Sequence, residues 1–395
     1  MNTAGAHERG SPVELDAQPP KQGIGLCLSG GGYRAMLFHL GALCRLNEVG
    51  LLPRLDRIAS VSGGSITSAV LALAWNDLDF DSSGVSRTFH EQVFEPVMRF
   101  ARQKLDIFAV LRGLAGAHTV NDCVAESYRK HLFGNRMLTD LPETPTFVIT
   151  ATNLQSGVLF RFTRTYAGDY QVGRFDSSTI DVATAVAASS AFPPFLSPAF
   201  LTFTQEQSVP WPPVTSEGPS RQNTPLHCPP YTTRVVLSDG GVYDNLGLEP
   251  LKGCATVFVS DGGARLTPIP RPRAFWFFQL LRVQGVQDNQ TRALRKRHLI
   301  EEYKLALTNP LHLSGAYWGI GTEISGYRVP TLPCPDDRIH ALATVSTRLW
   351  PGSLREQKQL VNWGYAVCDA TLREHGEQSE PPASAFPYTG VGGIG

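Results

Sequence analysis

The sequence predicts an α/β fold with a mainly parallel central sheet and covering helices. Short apolar runs that end at Gly or Ser alternate along the chain with segments of helical periodicity, which is the pattern of parallel strands and crossover helices. The chain is also long enough for such a fold, because 395 residues, 42% of them hydrophobic, can bury one large core.

Six apolar runs are the candidate strands of this sheet, and several are followed at once by Ser, Asp or Gly. In open parallel sheets, ligands bind beyond the carboxyl ends of the strands. We therefore expect three loops that are distant in sequence, 29–34, 62–65 and 239–247, to meet at one edge. The candidate strands are residues 24–28, 57–61, 146–151, 158–163, 234–237 and 255–259.

The two ends of the chain are predicted to be disordered. Residues 1–22 and 376–395 contain too few apolar side chains to offset the entropy of ordering them. Between them we predict one domain, 23–375, with a core at 23–265 and a helical extension at 266–375.

Two segments inside the core do not read as part of the sheet. Residues 77–140 carry helical patterns, at 89–100 and 106–114, and are predicted to be a helical insertion. The proline-rich segment 201–233 is predicted to be a surface loop that could form part of a lid.

The amino-acid composition limits which classes of partner and which cellular compartment are expected. The 35 Lys and Arg residues balance 35 Asp and Glu, so no nucleic-acid partner is expected. Seven cysteines without CxxC spacing, together with a polar N-terminus, predict a reduced, cytoplasmic protein. No apolar run approaches the roughly 18 residues of a membrane-spanning helix; any membrane contact is expected to be peripheral.

Ser62 is the candidate nucleophile. The strand at 57–61 leads into Ser62-Gly63-Gly64 and then into a segment of helical composition. Such a turn holds a serine hydroxyl at a helix N-terminus, where free amides favour developing negative charge. The run is a GxSxG motif with Ser60 in place of the first glycine, and taken alone it fits an ordinary helix N-cap equally well.

A glycine loop, Ser29-Gly30-Gly31-Gly32, follows the first strand and precedes a helix. Its backbone amides could form an oxyanion hole or a phosphate cradle. A nucleotide site is not expected, because neither the P-loop lysine nor GxGxxG spacing is present. Arg34 could bind a lipid phosphate or pair with a nearby carboxylate.

Two aspartates compete for the role of catalytic acid partner. Asp239 and Asp261 each end an apolar run and each precede Gly-Gly. Either could act as a general base toward Ser62, or could be a turn aspartate that accepts local backbone hydrogen bonds. A triad with histidine is not favoured, because His39, in the helix after the glycine loop, is expected to pack against the sheet.

Together the three blocks resemble the signatures of the patatin-like phospholipase family, which is similar in catalytic core to cytosolic phospholipase A. They are Ser29 to Arg34, Ser60 to Gly64 and Asp239 to Asn245. A fourth segment, 187–195, resembles the part of the family that lines the acyl side of the cleft, including Phe192 and Pro193. The resemblance covers residues 23–265 and implies a three-layer α/β/α sandwich.

The resemblance also implies site roles. Ser62 and Asp239 would form a dyad without histidine, and the amides of Gly30, Gly31 and Gly32 an oxyanion hole. Asp239 is chosen over Asp261 because Val-Tyr-Asp-Asn follows its Gly-Gly. By the same analogy, Arg34 would hold a phosphate headgroup.

The activity so implied is hydrolysis of phospholipid acyl esters, with lipid as the substrate and no metal or organic cofactor. Nothing in the sequence resembles a calcium-binding loop. A lysophospholipase, thioesterase or neutral-lipid esterase activity is the first alternative. A catalytically silent lipid-binding protein is the second.

Outside the resemblance, an aromatic stretch precedes a basic one within 274–298. The pair could dock on a membrane surface. A buried helix with a solvated basic end is the commoner arrangement and is the interpretation we favour.

Overall fold

The computed structural model describes residues 22–103, 119–211, 226–263, 266–345, 352–375, 381–392 and 394–395. Within these ranges the chain forms one sheet flanked by helices. The strands are β1 Ile24–Leu28, β2 Arg57–Val61, β3 Thr146–Asn153, β4 Leu159–Phe162, β5 Ala167–Asp169, β6 Gly173–Phe175, β7 Ala199–Thr202, β8 Ser208–Val209, β9 Arg234–Asp239, β10 Thr256–Asp261 and β11 Ser314–Gly319. The helices are α1 Gly32–Glu48, α2 Gly63–Ala74, α3 Glu95–Ala101, α4 Val120–Tyr128, α5 Val182–Ser189, α6 Gly241–Asp244, α7 Trp276–Ala306, α8 Asp336–Ala343 and α9 Leu354–His375.

The central strands of the sheet are parallel. They lie in the order β11-β10-β1-β2-β3, with every neighbouring pair parallel. Beyond β3 the pairing is antiparallel, through β4, β5, β6 and β8. The predicted α/β fold with a mainly parallel central sheet is therefore confirmed.

Both faces of the parallel strands are covered, because alternate side chains of a strand point to opposite faces. Leu26 and Leu28 join the larger core, which also contains the apolar residues of α1, α2 and α9. Cys27 joins a smaller core on the other face, together with Leu299 of α7. The result is three layers, helix on sheet on helix.

Glycines allow the helices of the larger layer to approach closely. A side chain on Gly41 of α1 would lie 1.9 Å from the carbonyl oxygen of Val361, and one on Gly364 of α9 would lie 1.9 Å from that of Phe38. The crossing also buries an ion pair between Arg45 and Asp369, 2.9 Å apart. This packing fixes α1, whose first turn begins at the glycine loop.

The unequal lengths of β2 and β3 create the position for β9. β2 ends at Val61, opposite Thr150, whereas β3 continues to Asn153. β9 pairs with that overhang in the antiparallel sense, and Asp239 stands opposite Ala151. Ser62 and Asp239 therefore occupy successive positions along the same edge of β3, although β9 is not one of the parallel strands.

Most of the predicted strands match the structure closely. β1 and β2 have the predicted bounds, and β3, β4, β9 and β10 differ from them by one or two residues at an end. The helical pattern at 89–100 corresponds to a π-helical turn, His90–Phe94, that continues into α3. The pattern at 106–114 lies outside the described residues.

The region after the core departs from the prediction in two places. The extension 266–375 was expected to be helical, but it contributes β11 to the sheet edge. Because β11 contains two glycines and no β-branched residue, its sequence does not indicate a strand. In the expected disordered tail, Ile394 is fully buried, and Asn362 of α9 donates to its carbonyl at 2.9 Å. Local composition does not reveal such docking.

The segment 201–233 is also more structured than a loop at its start, where β7 ends at Thr202 and β8 pairs with β6. Residues 212–225 lie outside the described part. In the described ranges, no helix has both the length and the apolar character needed to cross a membrane.

Candidate active site

Ser62 sits at the turn between β2 and α2 in a strained backbone conformation. Its φ of 52° and ψ of −121° make it the one non-glycine residue with positive φ among those described. Such strain is typical of a nucleophile held at a strand-to-helix turn. The Ser62 amide donates to the hydroxyl of Ser189 at 2.9 Å, which fixes the turn.

The two glycines after Ser62 bring the nucleophile turn against the glycine loop. A side chain on Gly63 would lie 2.0 Å from the carbonyl oxygen of Gly32, and one on Gly64 would lie 2.4 Å from that of Leu28. Glycine is required at both positions because any side chain would collide with main-chain atoms. The contact confirms that the loops at 29–34 and 62–65 meet.

The amides of the glycine loop are not equivalent. Gly30 donates its N–H to the carbonyl oxygen of Asn245 at 3.0 Å, so this amide already has an acceptor. Gly31 and Gly32 have φ of 148° and 59°, a geometry that favours glycine. Within the described part of the chain, neither of these two amides has a hydrogen-bond acceptor, and both lie at the N-terminus of α1, where the first amides have no acceptor within the helix.

Asp239 is buried beside Ser62. The amide of Gly241 donates to Oδ1 of Asp239 at 2.7 Å, and the hydroxyl of Ser62 lies near the same carboxylate. Burial raises the pKa of Asp239 from 3.8 to about 6, and the Gly241 amide and the Ser62 hydroxyl only partly oppose the effect. The carboxylate is thus ionised at neutral pH but more basic than an exposed aspartate.

Asp261, the competing aspartate, has a different environment. Its carboxylate accepts hydrogen bonds from the hydroxyls of Tyr317, at 2.7 Å, and Ser29, at 3.2 Å, and it faces the guanidinium of Arg292 at 3.6 Å. These partners outweigh burial and lower the pKa of Asp261. Asp261 thus links the end of β10 to β11, to α7 and to the start of the glycine loop.

His39 lies under the glycine loop and is fully buried. Its ring nitrogens contact the hydroxyl of Ser260 at 2.8 Å and the carbonyl oxygen of Ser29 at 2.9 Å. Burial lowers the pKa of His39 to about 4, so the ring is neutral at pH 7. As expected from the sequence, His39 packs against the sheet.

Arg34 is buried, and its hydrogen bonds go to main-chain carbonyl groups and not to a carboxylate. Its guanidinium donates to the carbonyl oxygens of Gly262, Ala343 and Val345 at 3.1, 3.2 and 2.7 Å. Burial lowers the pKa of Arg34 to about 10. These bonds tie the end of α8 to the loop after β10.

Phe192 and Pro193 follow α5 next to the acid. The amide of Asp239 donates to the carbonyl oxygen of Ala191 at 2.9 Å, which places the segment beside β9. Phe192 is 55% exposed, and Pro193 is half-buried. An exposed aromatic ring at this position is available to an apolar ligand.

Three side chains that support the site were not singled out from the sequence. Ser189 accepts from the amide of Ser62 and also contacts the hydroxyl of Ser65 at 2.9 Å. Thr152 donates to the carbonyl oxygen of Asp239 at 2.8 Å. Asn245 meets the glycine loop, because a side chain on Gly30 would lie 2.2 Å from its Oδ1. Ser189 and Asn245 fall within quoted motif segments, which was the available signal.

Comparisons with known proteins give short or distant similarities. A 47-residue stretch is 51% identical to the "Putative meiotic phospholipase SPO1" of Saccharomyces cerevisiae, covering 12% of this chain and 7% of that protein. Human GIVD cytosolic phospholipase A2 is similar in structure with a TM-score of 0.40 and 15% identity, over 69% of this chain and 48% of that one. VipD from Legionella pneumophila gives a TM-score of 0.36 and 16% identity, over 90% and 67%. The chain thus spans less than half the length of the yeast and human proteins.

The family comparison covers most of the domain. The model of the family described as patatin-like phospholipase matches residues 26–252, which is more than half of the 395 residues. The match begins in β1 and ends after α6, so it includes the glycine loop, the nucleophile turn and the Asp239 loop. The chain belongs to the patatin-like phospholipase family.

Proposed function

We propose that this protein is a lipid acyl hydrolase of phospholipase A type in which Ser62 and Asp239 form a catalytic dyad. One observation carries the proposal: the turns of Ser62 and Asp239 meet at Ser189, which puts the Ser62 hydroxyl near a buried carboxylate whose pKa is raised to about 6. A general base works best when its pKa is near the operating pH. Membership of the family supports lipid esters as the substrate class.

In the acylation half-reaction, the Ser62 oxygen attacks the carbonyl carbon of the ester while its proton passes to Asp239. The tetrahedral intermediate then expels the alkoxide of the lysolipid, which takes the proton from Asp239. An acyl-serine ester remains. In the second half-reaction, water gives its proton to Asp239 and attacks the acyl-serine carbonyl. Ser62 leaves with the proton, and the fatty acid is released.

The negative charge on the carbonyl oxygen needs donors that are already in place. We assign this role to the amides of Gly31 and Gly32, because the amide of Gly30 is bound to Asn245. Preorganised backbone donors of this kind are each worth about 10² to 10³ in kcat. Gly32 also abuts Gly63, which keeps the donors next to the nucleophile.

The proposal is tested by labelling and by product analysis. A long-chain alkyl fluorophosphonate is expected to phosphonylate Ser62 with loss of fluoride, and peptide mass spectrometry would locate the adduct. The protein is also expected to release fatty acid from diacyl phospholipid vesicles faster than from lysolipids, acyl thioesters or triacylglycerols. An adduct at another serine, or no release from any of these lipids, would overturn the assignment.

The pH dependence should report the raised pKa of Asp239. Below an apparent pKa of about 6, we expect kcat/KM to fall tenfold for each pH unit. The measurement is kcat/KM for a soluble short-chain ester between pH 4.5 and 8.5, with unfolding followed in parallel by circular dichroism. An acid limb near pH 4 would instead indicate an exposed carboxylate as the base.

The cytoplasmic location expected from the sequence stays a proposal. It is supported by the cysteines, because all seven are free and a reducing compartment keeps thiols in that state.

A further inference from the structure

The N-terminal half of α7 is a surface that the proposed reaction does not explain. Across α7, all of which the structure describes, Leu299 is the single fully buried residue. Large apolar side chains near the start of the helix are exposed to solvent, including Trp276 at 67%. The buried helix favoured from the sequence is therefore wrong for this half. The exposed apolar residues are Phe275, Trp276, Phe278, Leu280, Val283 and Val286.

Three of these side chains form a stripe on the solvent side. Trp276, Leu280 and Val283 are spaced four and three residues apart, so they lie on one face of the helix. On the opposite face, Gly285 lies against Leu266. All three side chains of the stripe are at least 50% exposed, so the stripe faces solvent.

The direction of α7 places this half at the active-site edge. Tyr303 donates to the carbonyl oxygen of Val257, near the start of β10, at 2.5 Å. Arg292 donates to the carbonyl oxygen of Gly263, just past the end of β10, at 3.1 Å. The helix thus runs antiparallel to β10, and the 16 residues from Arg292 back to Trp276 extend about 24 Å beyond the carboxyl ends of the parallel strands.

Other exposed apolar side chains lie on the same edge. Leu154 directly follows β3, Val242 lies in α6 three residues after Asp239, and Phe192 and Phe195 follow α5 beside β9. Exposed apolar groups thus occur on both sides of the proposed dyad. A concentration of this kind marks an interaction surface.

The charge of the segment around the start of α7 indicates which kind of partner it would bind. Residues 266–287 contain three arginines and no Asp or Glu. An apolar stripe next to cations without carboxylates matches a bilayer surface that contains anionic lipid.

We propose that the N-terminal half of α7 docks the protein on an anionic phospholipid bilayer and faces the proposed active site toward it. The inference rests on the proposed function, since a bilayer would be both the docking surface and the source of the substrate. Apolar side chains of the stripe enter the interface, while nearby arginines contact the headgroups.

The test measures vesicle binding separately from catalysis. In the catalytically inactive Ser62→Ala background, sedimentation with phosphatidylcholine vesicles containing phosphatidylserine is compared with and without the triple change Trp276→Ser, Leu280→Ser and Val283→Ser. We expect the triple change to weaken binding about 10- to 100-fold. The matched control is Leu307→Ser with Leu311→Ser, two exposed leucines just beyond the other end of α7, and it is expected to bind like its parent.

Further measurements distinguish a loss of membrane docking from a loss of catalysis. The triple variant with an intact Ser62 should hydrolyse a soluble short-chain ester at the unmodified rate and lose activity only on vesicles. Binding should weaken with added salt and without phosphatidylserine. Unchanged vesicle binding in the triple variant would overturn the docking proposal, as would an oligomer that dissociates on mutation without any vesicle binding. Loss of hydrolysis with intact docking would count against the proposed function alone.

Discussion

Replacing Ser62 with alanine is expected to reduce fatty-acid release by about 10⁴- to 10⁶-fold, the loss seen when a serine hydrolase is deprived of its nucleophile. Without the hydroxyl no acyl-enzyme forms, and residual activity would come only from the oxyanion donors. The measurement is release of fatty acid from phospholipid vesicles, followed by mass spectrometry.

The matched control for this change is Ser68→Ala in the same helix, α2. The Ser68 hydroxyl is buried and has no hydrogen-bond partner among the described residues, so its removal should leave both activity and stability near the values of the unmodified protein. Equal release from Ser62→Ala and the unmodified protein would refute a serine mechanism at this position.

Replacing Asp239 with asparagine is expected to reduce kcat about 10³- to 10⁴-fold. Asparagine keeps the shape of the side chain but cannot take the proton of Ser62. Asp239→Asn should also have a higher free energy of unfolding than the unmodified protein, and this gain should be larger at pH 8 than at pH 4. A carboxyl whose folded pKa is raised from 3.8 to about 6 destabilises the fold above that range by up to about 3 kcal/mol, and asparagine removes this cost.

The comparison variant, Asp261→Asn, should lose stability but keep the reactivity of Ser62. It leaves the buried guanidinium of Arg292 without its carboxylate, so the free energy of unfolding should fall by about 3 kcal/mol. The folded fraction should still react with a fluorophosphonate, whereas Asp239→Asn should react poorly. Normal labelling of Asp239→Asn together with loss of labelling in Asp261→Asn would exchange the roles of the two aspartates.

The parts of the fold that the sequence predicted are those whose signal is local. β1 and β2 are continuous apolar runs because they are buried on both faces, and the glycines that follow them mark the turns. β5 and β6 have three residues each and exist because neighbouring strands pair with them. β11 carries two glycines and is held by its pairing with β10. Such strands depend on their partners and leave little pattern in the sequence.

The same limit applies to the site. Ser62 and Asp239 could be proposed because each ends a strand beside glycines. The hydrogen-bond partners of the site residues could not be predicted, because they are distant in sequence. Ser62 and Ser189 are 127 residues apart, and Arg34 and Val345 are 311 apart. The use of the Gly30 amide by Asn245 is likewise a tertiary contact. Residue type indicates what a group can do, whereas its partners decide what it does.

The pairing of β9 with the overhang of β3 has a consequence for the newly made chain. Asp239 follows Ser62 by 177 residues (239 − 62), and it reaches the nucleophile only after β9 has joined that edge in the correct register. A ribosome-bound fragment that ends before β9 carries the serine and the glycine loop but has no base. Hydrolysis by the proposed dyad therefore requires that most of the domain has been synthesised and folded.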